Sequence, residues 1–256
     1  MGASEASATG SATVRDDETI VVSGSGPLSG RGVVPGAKNS VLKLMATTLL
    51  CDGRHVLTNV PDIVDVAIMG DLLAAIGVVM ERPESGVVEL TNTGDITPVA
   101  PYELVERIRA SINVLGPLLT RCGEVTLSMP GGDDFGARPI DMHIAGLEAM
   151  GAEFKFSHGD VIARAARLHG AELVLDFPSV GATENLMTAA VLANGVTTID
   201  NCAREPEITD LCEFLVAMGA QIDGIGSSTL TITGVERGAL RPVTHRTVPD
   251  RIQAAT

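Results

Sequence analysis

Between Pro130 and His143 the sequence reads PGGDDFGARPIDMH, which sets two adjacent carboxylates, Asp133 and Asp134, a few residues before an arginine, Arg138. Gly131, Gly132 and Gly136 surround the acids, and glycine permits positive φ and a close backbone approach to a ligand. The stretch therefore reads as a loop. Arg138-Pro139-Ile140-Asp141 leads into a helical pattern, because proline suits the first helical turn. A helix N-terminus beside an arginine is a site for an anion. Neighbouring like charges oppose each other's ionisation, so one carboxyl could keep its proton near neutral pH and serve as a general acid. The same residues also suit a solvated hairpin turn, and the stretch alone does not decide between the two.

The elements that must carry such a loop come in a repeat. Lys38 to Leu50 has apolar residues at Val41, Leu42, Leu44, Met45 and Leu49, with Thr48 among them, which predicts a helix with one buried stripe. Lys38 and Asn39 occupy its first turn. A cation there opposes the helix dipole, so Lys38 either meets a fixed anion or is a plain surface lysine. A second helix is expected from Ile63 to Ile76, closed by Gly77. The ending LLAAIG at Gly77 recurs as GLEAMG at Gly151 and FLVAMG at Gly219, spacings of 74 and 68 residues. Upstream apolar helices are expected at Lys38–Leu50, Arg109–Arg121 and Ala182–Ala193, followed by the strand patterns HVLTN, EVTLSM and VTTIDN. Residues 38–234 thus read as three copies of one strand-and-helix unit of about 70 residues. Three such copies predict an α/β fold, a pseudo-threefold domain with its helices packed inside and its sheets outside.

Outside the repeat the chain changes character. Residues 1–18 are small and polar and are expected to be a disordered tail, and Thr19–Ser23 carries a short strand pattern before a turn-rich linker that ends at residue 37. Residues 235–256 hold a polar connector and the first turn of a new helix at Asp250–Thr256, so a further unit is expected to begin there.

With 256 residues, 45% of them hydrophobic, the chain can bury a sizeable core as one large domain or two small ones. No apolar run approaches the ~18 residues of a membrane span, and the polar N-terminus lacks a signal pattern, so the expected compartment is the cytoplasm. A net charge of -14 argues against a broad nucleic-acid or anionic-membrane surface. Cys51, Cys122, Cys202 and Cys212 show no metal-type spacing and read as reduced, mostly buried thiols. One Tyr, five Phe and no Trp leave an aliphatic core and no platform for stacking bases.

Six motifs, GAKNS at Gly36, NVPDIVDV at Asn59, RASINVLGP at Arg109, PGGDDFGARPIDMH, SVGATEN at Ser179 and AREPEI at Ala203, occur in an order that resembles the enolpyruvyl transferases, in particular those acting on a nucleotide sugar. The resemblance implies an inside-out α/β barrel of three repeated units. It also implies a second domain of the same design, to which 19–37 and 235–256 would belong and most of which is missing here. The implied activity is transfer of an enolpyruvyl group from phosphoenolpyruvate to UDP-N-acetylglucosamine with release of phosphate and no cofactor. Carried over by motif, Lys38, Asn39 and Arg138 would bind phosphoenolpyruvate. Arg109, Arg138, Pro139, Ile140, Asp141, Met142, Phe177, Pro178, Ser179 and Val180 would bind the UDP-sugar. Asp133 stands where many members carry a cysteine proton donor, and it would take that role. An aspartate and further arginines that the family draws from its second domain have no counterpart in this sequence. Two alternatives remain open: a non-catalytic UDP-sugar-binding module, and an enzyme like the one that makes 5-enolpyruvylshikimate 3-phosphate. Outside the resemblance, Arg109 also suits a surface ion pair and Ser179 a helix N-cap.

Overall fold

A computed structural model describes residues 21, 27, 29–129 and 140–256. Asp133, Asp134, Arg138 and Pro139 lie outside the described residues, as does most of the strand expected at Thr19–Ser23. Before Val34, the residues that are described form no helix or strand.

From Val34 onward one unit is built three times. The first comprises α1 (Lys38–Thr47) with a 3₁₀ turn at Thr48–Leu50, β1 (Gly53–Thr58), α2 (Val64–Ile76), β2 (Val78–Glu81) and β3 (Val87–Asn92). The second opens with β4 (Val99–Ala100) and the short α3 (Tyr102–Val105). A 3₁₀ segment, Arg109–Val114, then runs into α4 (Leu115–Cys122), followed by β5 (Glu124–Ser128), α5 (Asp141–Ala149), β6 (Glu153–Ser157) and β7 (Asp160–Arg164). The third is β8 (Glu172–Val174), α6 (Val180–Ala190), β9 (Val196–Asp200), α7 (Pro206–Met218), β10 (Gln221–Asp223) and β11 (Thr229–Thr233), after which come β12 (Thr244–Arg246) and α8 (Arg251–Ala255). The helix expected from Arg109 starts as 3₁₀ because Pro117 cannot donate to residue 113 and its ring crowds that carbonyl.

Each unit forms a four-stranded sheet, in the orders β12-β1-β3-β2, β4-β5-β7-β6 and β8-β9-β11-β10. The first strand of each order runs parallel to the second, and the other pairings are antiparallel. In the second and third units that parallel strand comes immediately before the unit's helices. In the first unit it comes from the far end of the chain, with Val56 opposite Thr244. The boundary expected at residue 234 therefore falls before a strand that completes the first sheet, where β1 would otherwise present an unpaired edge.

Backbone bonds from Ala37 N to Val248 O (2.8 Å) and from Asp250 N to Pro35 O (2.9 Å) close the ring. Asp210 of α7, buried, secures the closure. It accepts from His245 Nε2 at 2.8 Å, from Val248 N at 3.2 Å and from the Ser40 hydroxyl of α1.

The first helix of each unit is interior. In α1 the buried residues are Ser40, Val41, Leu42, Leu44, Met45, Ala46 and Thr47, which is burial on nearly every side and not the single stripe expected. In α6 every residue from Ala182 to Ala190 is buried, and in α4 every residue from Leu115 to Thr120. Helix α4 packs on α6 and α1 packs on the 3₁₀ run Arg109–Val114, while α2, α5 and α7 cover these inner segments with one apolar face each. Gly116 lets α4 approach α6 closely, since a Cβ there would stand 2.4 Å from the Asn185 carbonyl oxygen. The glycines that end α2 and α7, Gly77 (φ 117°) and Gly219 (φ 115°), hold the left-handed conformation that a β-carbon disfavours. Each fully buried Leu, such as Leu44, Leu49, Leu72 and Leu115, contributes about 1.5–3 kcal/mol.

Because the Ser40 hydroxyl, the His245 ring and the Val248 N–H all depend on one carboxylate, Asp210→Ala is expected to lower stability by about 3 kcal/mol. Urea unfolding at neutral pH measures this. A loss under about 1 kcal/mol would mean that the ring closes without that contact.

Candidate active site

Lys38, Arg109 and Val180 are each the first residue of their unit's inner helical segment. They lie 71 residues apart, 38 to 109 and 109 to 180. In the second and third units these segments follow the C-terminal end of the parallel strand, and in all three units the second helix follows the C-terminal end of the central strand. Both kinds of helix N-terminus thus fall at one edge of the sheets, where open backbone N–H groups and positive dipole ends collect. The turns after the central strands occupy the same edge. They span residues 59–63 and 201–205 in the first and third units, opening on Asn59 and Asn201, each at φ 55°. The Asn side chains bond back to Thr247 O (2.9 Å) and Leu175 O (2.8 Å). In the second unit the connection runs over residues 129–140, with Met129 in place of the asparagine, and this longer insertion holds the PGGDDFG stretch.

The expected residues sit there with distinct exposures. The Lys38 side chain is 46% exposed, and its Nζ lies 3.4 Å from Asp65 Oδ1 of α2. Its backbone N–H donates to Asp250 Oδ2 at 3.3 Å. The fixed anion inferred for Lys38 thus has a protein counterpart in Asp65, held loosely enough for a ligand to compete. Asn39 is exposed. Arg109 is half-buried and close enough to His143 to bear on its ionisation. Ile140 and Met142 are buried while Asp141 is exposed, so the first two can offer a ligand only backbone. Phe177 is 57% exposed, Pro178 is exposed and Val180 half-buried. Ser179 caps α6, its Oγ accepting from Ala182 N at 3.3 Å, so the N-cap reading of this residue is realised. Asp133, Arg138 and Pro139 fall outside the described residues, and their placement is not part of this geometry.

Two polar residues given no role from sequence lie among them. His143 is 6% exposed. Asn185 connects it to the neighbouring helix, with Nδ2 3.1 Å from His143 Nδ1 and Oδ1 accepting from Gly116 N at 2.9 Å. Burial pushes the His143 ring down to about 4, and Arg109 adds to that push. The only advance signal was position, since His143 ends the loop stretch and Asn185 ends SVGATEN.

The four cysteines are free thiols. Burial pushes Cys51 up to about 11 and Cys212 up to about 12, so neither is a thiolate at neutral pH. Among the described residues no cluster of three or more His, Cys, Asp or Glu is placed to hold a metal ion. Among the described residues no helix is long and apolar enough to cross a membrane. A cavity of about 310 Å³ lies between the turn after β1 and the β2–β3 hairpin, lined by Pro61, Arg82 and Gly86 among others. None of the candidate residues lines it, and a polar surface groove without them offers no catalytic grouping.

The family model for EPSP synthase (3-phosphoshikimate 1-carboxyvinyltransferase) matches residues 22–256, and the chain belongs to this family of enolpyruvyl transferases. Among its relatives, the UDP-N-acetylglucosamine 1-carboxyvinyltransferase of Corynebacterium jeikeium is 53% identical over 239 residues, 93% of this chain and 56% of that protein. The Mycobacterium bovis protein of the same name is 52% identical over the same share. The chain therefore spans little more than half the length of the curated relatives it matches. Of solved structures, the enolpyruvyl transferase NikO from Streptomyces tendae superposes with a TM-score of 0.78 at 25% identity, over 89% of this chain and 53% of that one. An EPSP synthase from Acinetobacter baumannii shares the fold at a TM-score of 0.69 and 20% identity, over 88% of this chain and 51% of that one.

One turn inward from the three N-termini the inner helices meet around Lys43, Thr47, Asn113, Glu184 and Thr188. The Glu184 side chain is 3% exposed, with Lys43 Nζ 3.3 Å away. The pair is within ionic range, yet neither carboxylate oxygen has an aligned hydrogen bond from a described residue. Burial pushes Glu184 up to about 7, and Lys43 offsets only part of that. The folded state thus holds a proton here that the unfolded state releases near the usual glutamate value, so this group favours folding less as pH rises from about 4.5 through 7. Glu184→Gln is expected to remove that trend. Relative to the variant, the wild-type chain should lose about 3 kcal/mol of stability between pH 5 and pH 8, and parallel urea-derived pH profiles would contradict the assignment.

Proposed function

We propose that this chain is the phosphoenolpyruvate- and UDP-sugar-facing domain of a bacterial cytoplasmic enzyme. That enzyme transfers an enolpyruvyl group from phosphoenolpyruvate to UDP-N-acetylglucosamine, the first committed step of peptidoglycan synthesis and hence of wall growth, cell shape and division. The observation that carries the reading is 52–53% identity over 93% of the chain to proteins named for that reaction. The clustering of Lys38, Arg109, Asp141 and Ser179 at one edge of the fold adds to it.

In this reading the sugar hydroxyl oxygen bonds to the central carbon of phosphoenolpyruvate while Asp133 delivers a proton to its methylene carbon. Phosphate then leaves, the methyl group so formed gives a proton back, and the double bond re-forms on the sugar ether. Lys38, Asn39 and Arg138 would stabilise charge on phosphoenolpyruvate and its phosphate. Arg109, with the Arg138–Met142 and Phe177–Val180 segments, would hold the nucleotide sugar. The group that deprotonates the sugar hydroxyl has no counterpart in this sequence, and we assign it to a second domain.

Titration calorimetry of the 256-residue chain with UDP-N-acetylglucosamine, paired with phosphate-release assays in the presence of phosphoenolpyruvate, tests the reading. Binding without release is the expected result. Failure to bind, with binding of shikimate 3-phosphate instead, would favour the sister reaction.

The aspartate at position 133 carries a further expectation. A carboxylic acid with a raised pKa can donate the proton as a thiol does, but it forms no stable thioether with the epoxide fosfomycin. Full-length, two-domain protein is expected to keep releasing phosphate with fosfomycin present, and Asp133→Cys to become sensitive. Inactivation of the unmodified protein with a covalent adduct on Asp133 would refute this.

A further inference from the structure

Glu184 stands on α6 four residues beyond Val180, about 6 Å of helix rise below that helix start. Its side chain is buried, and Lys43 Nζ of α1 lies 3.3 Å from Oε1. Lys43 is in turn five residues beyond Lys38, about 8 Å of rise, and its ammonium also donates to the Asn39 carbonyl oxygen. One cation thus ties the first turn of α1 to the second turn of α6, beneath the candidate ligand edge.

Among the described residues no hydroxyl or amide donor is aimed at this carboxylate. Thr47 and Thr188 share the space around it, but their hydroxyls donate to the carbonyls of Lys43 (2.7 Å) and Glu184 (2.9 Å). Asn113 lines the same space, and its Oδ1 has no donor among the described residues. A protonated carboxyl is the form that supplies a donor. Of the charges on neighbouring elements, Lys43 favours the ionised form of Glu184, while Glu207 and Glu205 at the start of α7 oppose it. Glu207 is itself paired with Arg251 Nε at 3.1 Å. The other groups face elsewhere: Asp210 of α7 meets His245, Asp200 of β9 meets Thr229, Arg121 of α4 meets Asp52, and Arg109 and Asp141 bear on His143. Glu148 and Glu213 are exposed, and His143 and Cys212 stay uncharged at neutral pH. Burial outweighs Lys43, so Glu184 titrates at about 7.

An anion at the helix starts and the Glu184 carboxylate draw on the same cation. With Glu184 protonated, the Lys43 charge is uncompensated and adds to the rim; with Glu184 ionised, it is neutralised from below. Both helix rises are within about a Debye length at physiological salt, and screening through the buried interior is weaker still. We propose that Glu184 is a positioning residue for this edge: it holds Lys43 inward against α6 and thereby sets how strongly an anionic ligand is bound at the starts of α1 and α6. The inference rests on the nucleotide-sugar reading of the site.

The test is the pH dependence of UDP-N-acetylglucosamine affinity in the 256-residue chain, read by calorimetry between pH 6 and pH 8, where the charge of the diphosphate is constant. Wild-type affinity is expected to fall about fivefold as pH rises. Glu184→Gln, with folding confirmed by thermal melting, is expected to keep the pH 6 affinity at both ends, and Lys43→Met to bind weakly at both. Parallel pH profiles in wild type and Glu184→Gln, or a flat profile in the wild type, overturn the inference while leaving the nucleotide-sugar reading intact. No binding by the wild-type chain at any pH overturns both. A second readout needs no variant. Titrations at pH 7 in two buffers of different ionisation enthalpy are expected to show partial proton uptake on binding, the reciprocal of the pH effect on affinity, and binding without uptake overturns the proposal.

Discussion

Everything at the sheet edge depends on the packing of the inner segments, α4 against α6 and α1 against the 3₁₀ run that opens α4. Helices buried on nearly all sides have little freedom to slide, because interiors are packed at crystal-like density and a single added methylene is felt. Gly116, with the Asn185 carbonyl 2.4 Å from where its Cβ would be, shows how little room is left between α4 and α6. The helix N-termini inherit this rigidity. Lys38, Arg109 and Val180 reach the same level of the fold because each begins an interior segment of one repeat, and the ring that β12 closes keeps the first repeat in step with the other two.

Rigid packing also explains how charge is distributed. Along the inner helices most buried hydroxyls, such as those of Thr47, Ser111 and Thr188, donate to backbone carbonyls of their own segment, while the Glu184 oxygens and Asn113 Oδ1 have no hydrogen-bond partner among the described residues. At the helix starts, open N–H groups, Lys38 and Arg109 make a positive rim on a chain whose net charge is -14. Asp65 and Asp250 temper that rim, since both contact Lys38. An anionic ligand would take over those contacts, so affinity there rests on exchange of partners more than on an idle cation.

Much of this was legible in the residues. The glycine-capped endings at Gly77, Gly151 and Gly219 and the order of elements between them announce three units, and the spacing of 71 from Lys38 to Arg109 to Val180 follows from the same repeat. What pattern could not supply was any long-range partner. β12 carries only a short strand signal, and its pairing with β1 spans nearly the whole domain. The 3₁₀ start of the second inner segment follows from Pro117 acting four residues back, which periodicity does not weigh. His143 and Asn185 are plain polar residues in sequence, and their meaning comes from Gly116, a backbone donor on a third element.

The most direct measurement is an amide ¹H–¹⁵N shift map of the chain during titration with UDP-N-acetylglucosamine. Perturbations concentrated at residues 38–40, 109–111, 140–143 and 179–182, with the outer sheet faces unmoved, are the predicted result. Perturbations centred on Pro61, Arg82 and Gly86, or none anywhere, would contradict a ligand site built on the inner-helix N-termini.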